Sequence, residues 1–389
     1  KKKEKSKTFI NKERSNTNMN KRHIAVLLLF SMMLNYNTVF AEQKEYYDTD
    51  SFLTVLQIPE KENAIVLTLE EATQRALARS TTLKNSNMDL NISEQKLENE
   101  QKNIANGHTF QQLLEYIKQN ANYTTSLLSR QVAEEGVKFS LKQVYIEIIN
   151  QEREIALAKQ NIKNTEKELL IARTKAKLGL LSEQELNNQE LSYQKALTNL
   201  QQQESNVKSA YQSLAKLIDI DIDDNYQLVL EAVYEPLELE LSLDTYIKSK
   251  VNTDPTIEQK QINLDTATSE AKLTHTTVTD STTADEEADN SVAKASLSLS
   301  DEKLNLKEKI QNCYDNIMNL EKNYQNNLLE LETLKQQYYN EKKKYDLEQC
   351  TELDVLKAKQ SVAEKESEII GQMYEHMLLI EQFENSYLL

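Results

Sequence analysis

From Val137 onward the apolar positions fall every seven residues, at Leu141, Ile148, Ile155, Ile162, Leu169 and Ala176. A second series, offset by three, runs through Val144, Gln151, Ala158, Thr165 and Ala172. Large residues on one seam and small or polar ones on the other make a coiled-coil repeat. Gly179 ends it, as a glycine past the last apolar turn commonly does. Ser182 then predicts an N-cap, with Glu185 three residues on to complete a capping box. Leu186, Tyr193, Leu200, Val207 and Leu214 carry the period back along a returning helix. Two helices joined so briefly must lie antiparallel, with arms roughly 55–65 Å long at about 1.5 Å per residue.

The same arrangement comes twice. Ile310, Ile317, Tyr324, Leu331, Tyr338 and Tyr345 form a second seven-residue seam. After a turn near Glu348 to Thr351, Leu356, Ala363, Ile370 and Met377 continue it. Leu178 aligns with Leu347, Ser182 with Thr351, and Glu185 with Asp354. The openings match as well: Leu67-Thr68-Leu69-Glu70 recurs as Leu241-Ser242-Leu243-Asp244. Leu77 then keeps step with Val251, Leu83 with Ile257, Met88 with Ile262 and Leu90 with Leu264. One helix is predicted from Leu67 to about Asn106, with Thr68 and Glu71 as its capping box, and Asp254-Pro255 stands where the first copy has Ser80-Thr81. Between residues 107 and 136, Phe110, Leu113, Leu114 and Ile117 have helical spacing, while Tyr123 to Leu128 reads equally as extended. Residues 274–291, rich in Thr, Asp and Ala, read as a flexible loop.

The predicted fold is all-α: two tandem repeats of long antiparallel helical hairpins, residues 67–224 and 225–389. Four glycines, three prolines and no tryptophan among 389 residues agree with it. Proline costs about 3 kcal/mol inside a helix, and there is none between Pro59 and Pro236 or after Pro255. A hydrophobic share of 39 % supports narrow seams rather than a thick core.

Ahead of the repeats, residues 1–41 read as an upstream extension and a signal peptide. Lys21-Arg22 precedes an apolar run from Ile24 to Leu34, and Val39-Phe40-Ala41 is a small-residue cleavage pattern. The run is shorter than the ~20 residues of a transmembrane helix. Met19 marks the start of the signal, the mature chain begins at Glu42, and residues 42–66 form a polar leader.

A net charge of −16 excludes nucleic acid as a partner, since binding it requires a basic face. Dispersed over helices, that charge reads as solvated faces, or as an acidic lumen favouring cations. Cys313 and Cys350 on one helix would stand roughly 55 Å apart, too far to pair within a chain. The acidic run Asp219 to Asp224 lacks the glycine and chelating glutamate of a calcium loop and reads as a solvated connection. No phosphate loop, His-Glu-x-x-His pair or Gly-x-Ser-x-Gly turn is present, so neither an enzyme nor a cofactor is expected.

Two signatures give the chain a family resemblance. One is Leu67-Thr68-Leu69-Glu70-Glu71-Ala72 with Ala76-Leu77, repeated more weakly at Leu241. The other is Ala172-Arg173, Leu178-Gly179-Leu180-Leu181-Ser182 and Glu185-Leu186, repeated as Tyr345-Asp346-Leu347-Glu348, Thr351 and Asp354-Val355-Leu356. In these motifs and their order the chain resembles the TolC-type outer-membrane efflux proteins over nearly all of its mature length. The resemblance implies an export conduit in the cell envelope, a homotrimer whose twelve helical strands form a hollow α-barrel. It also implies a periplasmic adaptor and an inner-membrane transporter as partners. The helix-turn tips would form the channel entrance: Gly179, Ser182 and Glu185 in one, Tyr345, Thr351 and Asp354 in the other. Tyr345 matches a family tyrosine that tethers the closed entrance, and Asp354 an aspartate facing the lumen. Cys350 stands where some members carry a tethering arginine, and Glu348 replaces the second tip glycine.

The membrane part departs from that pattern. Lipid-facing strands need about 9–11 alternating residues, and neither residues 104–128 nor 273–298 supply convincing pairs. A TolC-like α-barrel with little or no β-barrel is therefore expected, and contact with a membrane is left open. Glu185 and Asp354 could equally serve only the N-termini of returning helices, and Tyr345 shares the seam register of Tyr338. The competing functional reading is an exported coiled-coil spacer of the envelope built on the same fold.

Overall fold

The computed structural model describes residue 61 and residues 63–105, 109–221, 225–277 and 282–389. The expected targeting signal and most of the expected polar leader lie outside the described residues. The elements are β1 (Ile65–Thr68), α1 (Leu69–Arg79), α2 (Thr81–Ala105), α3 (Phe110–Lys177), α4 (Glu183–Ile218) and β2 (Tyr226–Val229), then α5 (Leu243–Thr253), α6 (Pro255–Thr277), α7 (Thr282–Asp346) and α8 (Glu352–Glu384). The fold is all-α, two tandem repeats of long helical hairpins.

The helices lie side by side. Towards the far end, where α2 gives way to α3 and α6 to α7, the order is α2–α3–α6–α7. Towards the tips at residues 178–182 and 347–351 it is α4–α3–α8–α7. Helices α3 and α7 run through both halves, at about 1.5 Å per residue some 100 Å each. Among the described residues four ion pairs from α3 join the repeats: Lys118–Glu270 (3.6 Å) on α6, and Lys142–Glu381 (2.5 Å), Glu168–Lys357 (2.8 Å) and Lys167–Glu352 (2.6 Å) on α8.

Burial concentrates where the two halves meet. One apolar cluster packs Ala72 and Ala76 of α1 against Leu141, Tyr145 and Ile148 of α3 and Leu214 of α4. Its counterpart packs Ile247 and Val251 of α5 against Ile310, Cys313 and Ile317 of α7 and Phe383 of α8. Beside the first, β1 and β2 pair in parallel, from Ile65 opposite Tyr226 to Thr68 opposite Val229. Parallel strands need a long crossover, and here the whole first repeat supplies it. The Tyr145 hydroxyl donates to the Leu67 carbonyl of β1 and accepts from the Val229 N–H of β2 at 2.9 Å. Burial pushes its pKa up to about 12. Nearby, Arg153 of α3 lies buried with its guanidinium over the Tyr374 ring and its Nε without a hydrogen-bond partner. Burial pushes its pKa down to about 10.

Four sequence expectations change. The single helix from Leu67 becomes β1, α1 and α2. Ser80 breaks it with φ −49° and ψ 118°, and its hydroxyl accepts the Leu83 N–H (3.1 Å) to restart α2. Asp254 breaks the second repeat at the matching place, accepting the Thr256 N–H at 2.8 Å. Second, Thr68 caps α1, but Glu71 pairs with Arg75 (2.6 Å) instead of closing the capping box. Third, Tyr123 to Leu128 is helical, inside α3.

Fourth, the loop expected at 274–291 is helix where it is described: residues 274–277 end α6 and 282–291 open α7, with 278–281 outside the described residues. Threonine need not break a helix when its hydroxyl bonds back one turn, as Thr274 does to Glu270 and Thr276 to Lys272. His275 adds a clasp across this hairpin, with Asp285 at 2.9 Å and Asp289 at 3.1 Å. The described residues of 104–128 and 273–298, where barrel strands would stand, are helical apart from the N-cap Thr109. No described helix is long and apolar enough to cross a membrane.

Tyr145→Phe would leave the buried Leu67 carbonyl and the part-buried Val229 N–H short of a partner, at about 1–3 kcal/mol. Thermal or urea unfolding of the variant should show that loss, whereas unchanged stability would deny the hydroxyl its bridging role.

Candidate functional site

The two hairpin tips are built alike, bond for bond. At the first, the Leu180 N–H reaches back to the Lys175 carbonyl (2.9 Å) and the Gly179 N–H to Ala176 (3.0 Å). At the second, Gln349 reaches Lys344 (2.8 Å) and Glu348 reaches Tyr345 (2.9 Å). This paired closure requires a left-handed residue at its apex. Gly179 takes it with φ 70°, and Glu348 takes it with φ 60°. Glycine does so freely, whereas a residue with a Cβ is strained there by roughly 1–2 kcal/mol.

The returning helices start alike as well. Ser182 Oγ accepts the Glu185 N–H at 3.2 Å, while the Glu185 carboxylate accepts the Ser182 N–H at 2.9 Å and its hydroxyl at 2.7 Å. Thr351 and Asp354 repeat these bonds at 3.3, 2.9 and 2.7 Å. The hydroxyl bond first, then the backbone bond, hold the Glu185 carboxyl below its ordinary pKa. The same two bonds do so for Asp354, with smaller help from Lys357 and Lys344. Both groups are fully exposed and ionised at neutral pH.

The six expected entrance residues thus gather into two matching turns. Lys167–Glu352 and Glu168–Lys357 tie the end of α3 to the start of α8, which sets both tips at one end of the chain. Tyr345 is 45 % exposed in the last turn of α7, so within one chain it fills no seam. The buried part of that seam ends at Leu331. Cys350 lies half-buried, its thiol 3.2 Å from the Glu341 carbonyl, and both cysteines are free.

Sequence reasoning used the tip leucines as motif residues but did not count them among the entrance residues. Leu178, Leu180 and Leu347 are each about two-thirds exposed or more. Their signal was their place beside a helix stop, where no further turn remains to cover them. Behind the tips a polar cavity of about 580 Å³ opens between α3, α4 and α8, lined by Asn164, Thr165, Lys195, Lys357 and Gln360 among others. Among the described residues no group of three or more His, Cys, Asp or Glu is placed to hold a metal.

No protein-family model matches the sequence, and no curated protein matches it as a relative. The fold does match solved structures. The Campylobacter jejuni CmeC outer membrane channel aligns with a TM-score of 0.64 at 13 % identity, over 82 % of this chain and 85 % of that one. The Vibrio cholerae outer membrane protein VceC aligns at 0.63 and 9 %, over 81 % and 95 %. The open state of the Neisseria gonorrhoeae MtrE outer membrane channel aligns at 0.63 and 13 %, over 82 % and 88 %. The chain therefore has the TolC-type fold, at a sequence distance where only the fold is shared.

Two predictions concern the tips. Glu348→Gly removes the strain but loosens the unfolded chain by about 0.5–1 kcal/mol. A net gain of up to about 1 kcal/mol should appear in thermal unfolding, with no gain expected from Gly179→Ala. The second follows from the lowered carboxyl pKa values of Glu185 and Asp354. Their contribution is present above the unfolded-state pKa and is lost as pH falls through the depressed folded one. The acid limb of stability, below about pH 4.5, should therefore flatten in Glu185→Gln with Asp354→Asn; an unchanged limb would show that the caps are energetically silent.

Proposed function

We propose that the chain is a diverged TolC-type protein: a passive export conduit of the cell envelope, assembled as a homotrimer and closed or opened at the tips. The observation that carries this reading is the open four-helix layer. Helix α7 lies at one edge, α2 and α4 at the other, and both edges show large apolar side chains to water. These include Leu329 and Tyr339 on α7 and Leu191 on α4. An edge that fits only the opposite edge of another copy generates a ring when the rotation closes. Three copies would set twelve helical strands around a lumen, with six matching tips at its entrance. The fold shared with solved outer membrane channels supports the same assembly.

In this reading Glu185 and Asp354 have two tasks. They hold the returning helices, and they place fixed negative charge at the entrance, which favours cations there. Gly179, Ser182 and Thr351 shape the turns, and Tyr345 stands exposed where it can tether a neighbour. A periplasmic adaptor and an inner-membrane transporter would hand substrate to the tube. The role is not enzymatic and calls for no cofactor, and the targeting signal takes the chain out of the cytoplasm.

A second reading is supported by the helices found at residues 104–128 and 273–298. Without barrel strands the same ring would serve as an envelope spacer rather than an outer-membrane pore.

Light scattering on the chain from Glu42 onward should give three times the monomer mass. Reconstituted in lipid, the conduit should pass ions with a cation preference that Glu185→Ala with Asp354→Ala reduces. A trimer without conductance would select the spacer, and a stable monomer would remove the ring. Conductance with unchanged selectivity would take the two carboxylates out of the lumen.

A further inference from the structure

The short helix α5 and the stretch of α7 beside it enclose a cavity of about 330 Å³. Ile247, Lys248 and Val251 line it from α5, and Lys303, Leu304 and Lys307 from α7. Both trios have the spacing i, i+1, i+4, which puts each on one face of its helix. Ile247 and Val251 are buried and form an apolar floor, while Leu304 at the rim is 62 % exposed. Sites for small ligands run from about 300 to 1,000 Å³, and this one stands at the lower end. It has room for one alkyl tail and is too small for a lipid with two.

The charge at the rim is opposite to that of the chain. Against a net −16 overall, the rim carries Lys248, Lys303 and Lys307 with a single carboxylate, Asp244. Elsewhere lysines settle beside acids, as Lys138 does with Glu134 and Glu135, and Lys365 with Glu330 and Glu368. Among the described residues none of the three rim lysines makes an ion pair. The acids nearest to them on α7, Asp301, Glu302 and Glu308, do not line the cavity. An apolar trough with three cations at its mouth selects a tail and an anion on one molecule. Neither half suffices alone, since solvated lysines hold a small anion weakly and a neutral tail leaves them unmatched.

We infer that this cavity binds a fatty carboxylate. The tail lies over Ile247 and Val251, Leu304 covers it from the α7 side, and the carboxylate sits among Lys248, Lys303 and Lys307. The site belongs to the fold of one chain and does not depend on the ring. The competing arrangement has the lysine stems themselves covering the floor, and it leaves nothing to bind.

Calorimetric titration of the full chain with dodecanoate, kept below its micelle concentration, separates the two. One equivalent per chain should bind and saturate. Acetate, which lacks the tail, and dodecyltrimethylammonium, which reverses the head charge, should not bind. Dodecanoate should bind up to about fifteenfold more tightly than decanoate, at about 0.8 kcal/mol per buried methylene; equal affinities would take the apolar floor out of the site. Lys303→Gln with Lys307→Gln alters only the rim and should weaken dodecanoate several-fold. Ser300→Trp fills the mouth from an exposed lining position and should abolish binding, with helix content by circular dichroism unchanged. Unchanged affinity in either variant, or equal binding of the cationic amphiphile, would overturn the site. So would a titration that never saturates, which marks adsorption along the exposed apolar edges.

Discussion

The largest apolar clusters of this chain gather at a narrow waist, and much else depends on that constraint. Helices as long as α3 and α7 with so few apolar residues cannot cover themselves along their length. The side chains that do leave water gather around Leu141, Tyr145 and Ile148 in one repeat and Ile310 and Ile317 in the other. At the first cluster the chain also makes its one strand pair among the described residues, β1 with β2. Tyr145 sits between those strands and bonds to both. Helix capping and short cross-helix ties carry order outward from there.

The tips show how order is kept far from the waist. With little apolar surface left to bury, each turn is held by bonds local to it, a paired C-terminal closure followed by a reciprocal N-cap. Two sequences that share few residues arrive at the same bond list, because the geometry needs only a left-handed apex, a hydroxyl and a carboxylate three residues on. That economy makes the carboxylates structural first. Any charge they lend to a lumen comes from groups already fixed by the turn.

Much of this was legible in the sequence, because a seven-residue period, a glycine stop and a Ser-x-x-Glu start are local signals. Duplication added to it, since Ser182 with Glu185 and Thr351 with Asp354 confirm each other. The resemblance rested on the same positions, and the fold agrees. Less legible were features set by partners distant in sequence. Ile65 to Thr68 form a strand because residues 226–229 come to lie beside them. The break at Ser80 follows from one hydroxyl bond. The threonines after Leu273 looked like a loop by composition, yet they bond back to their own helix, with His275 clasped by two aspartates. Tyr345 kept the seam register, but its neighbours along α8 stop covering the seam before it arrives there.

The parallel pairing at the waist also has a consequence for the order in which the chain gains structure. Both hairpins consist of contacts between nearby segments, and such contacts form early because little chain entropy opposes them. Strand β1 cannot find its partner until the whole first repeat has been made and has folded back on itself. Its pairing is then the last local event of the first repeat and the first that the second repeat can build upon. A newly made chain would hold its first finished spar before it held a joint, and damage to the joint would leave that spar intact but unaligned.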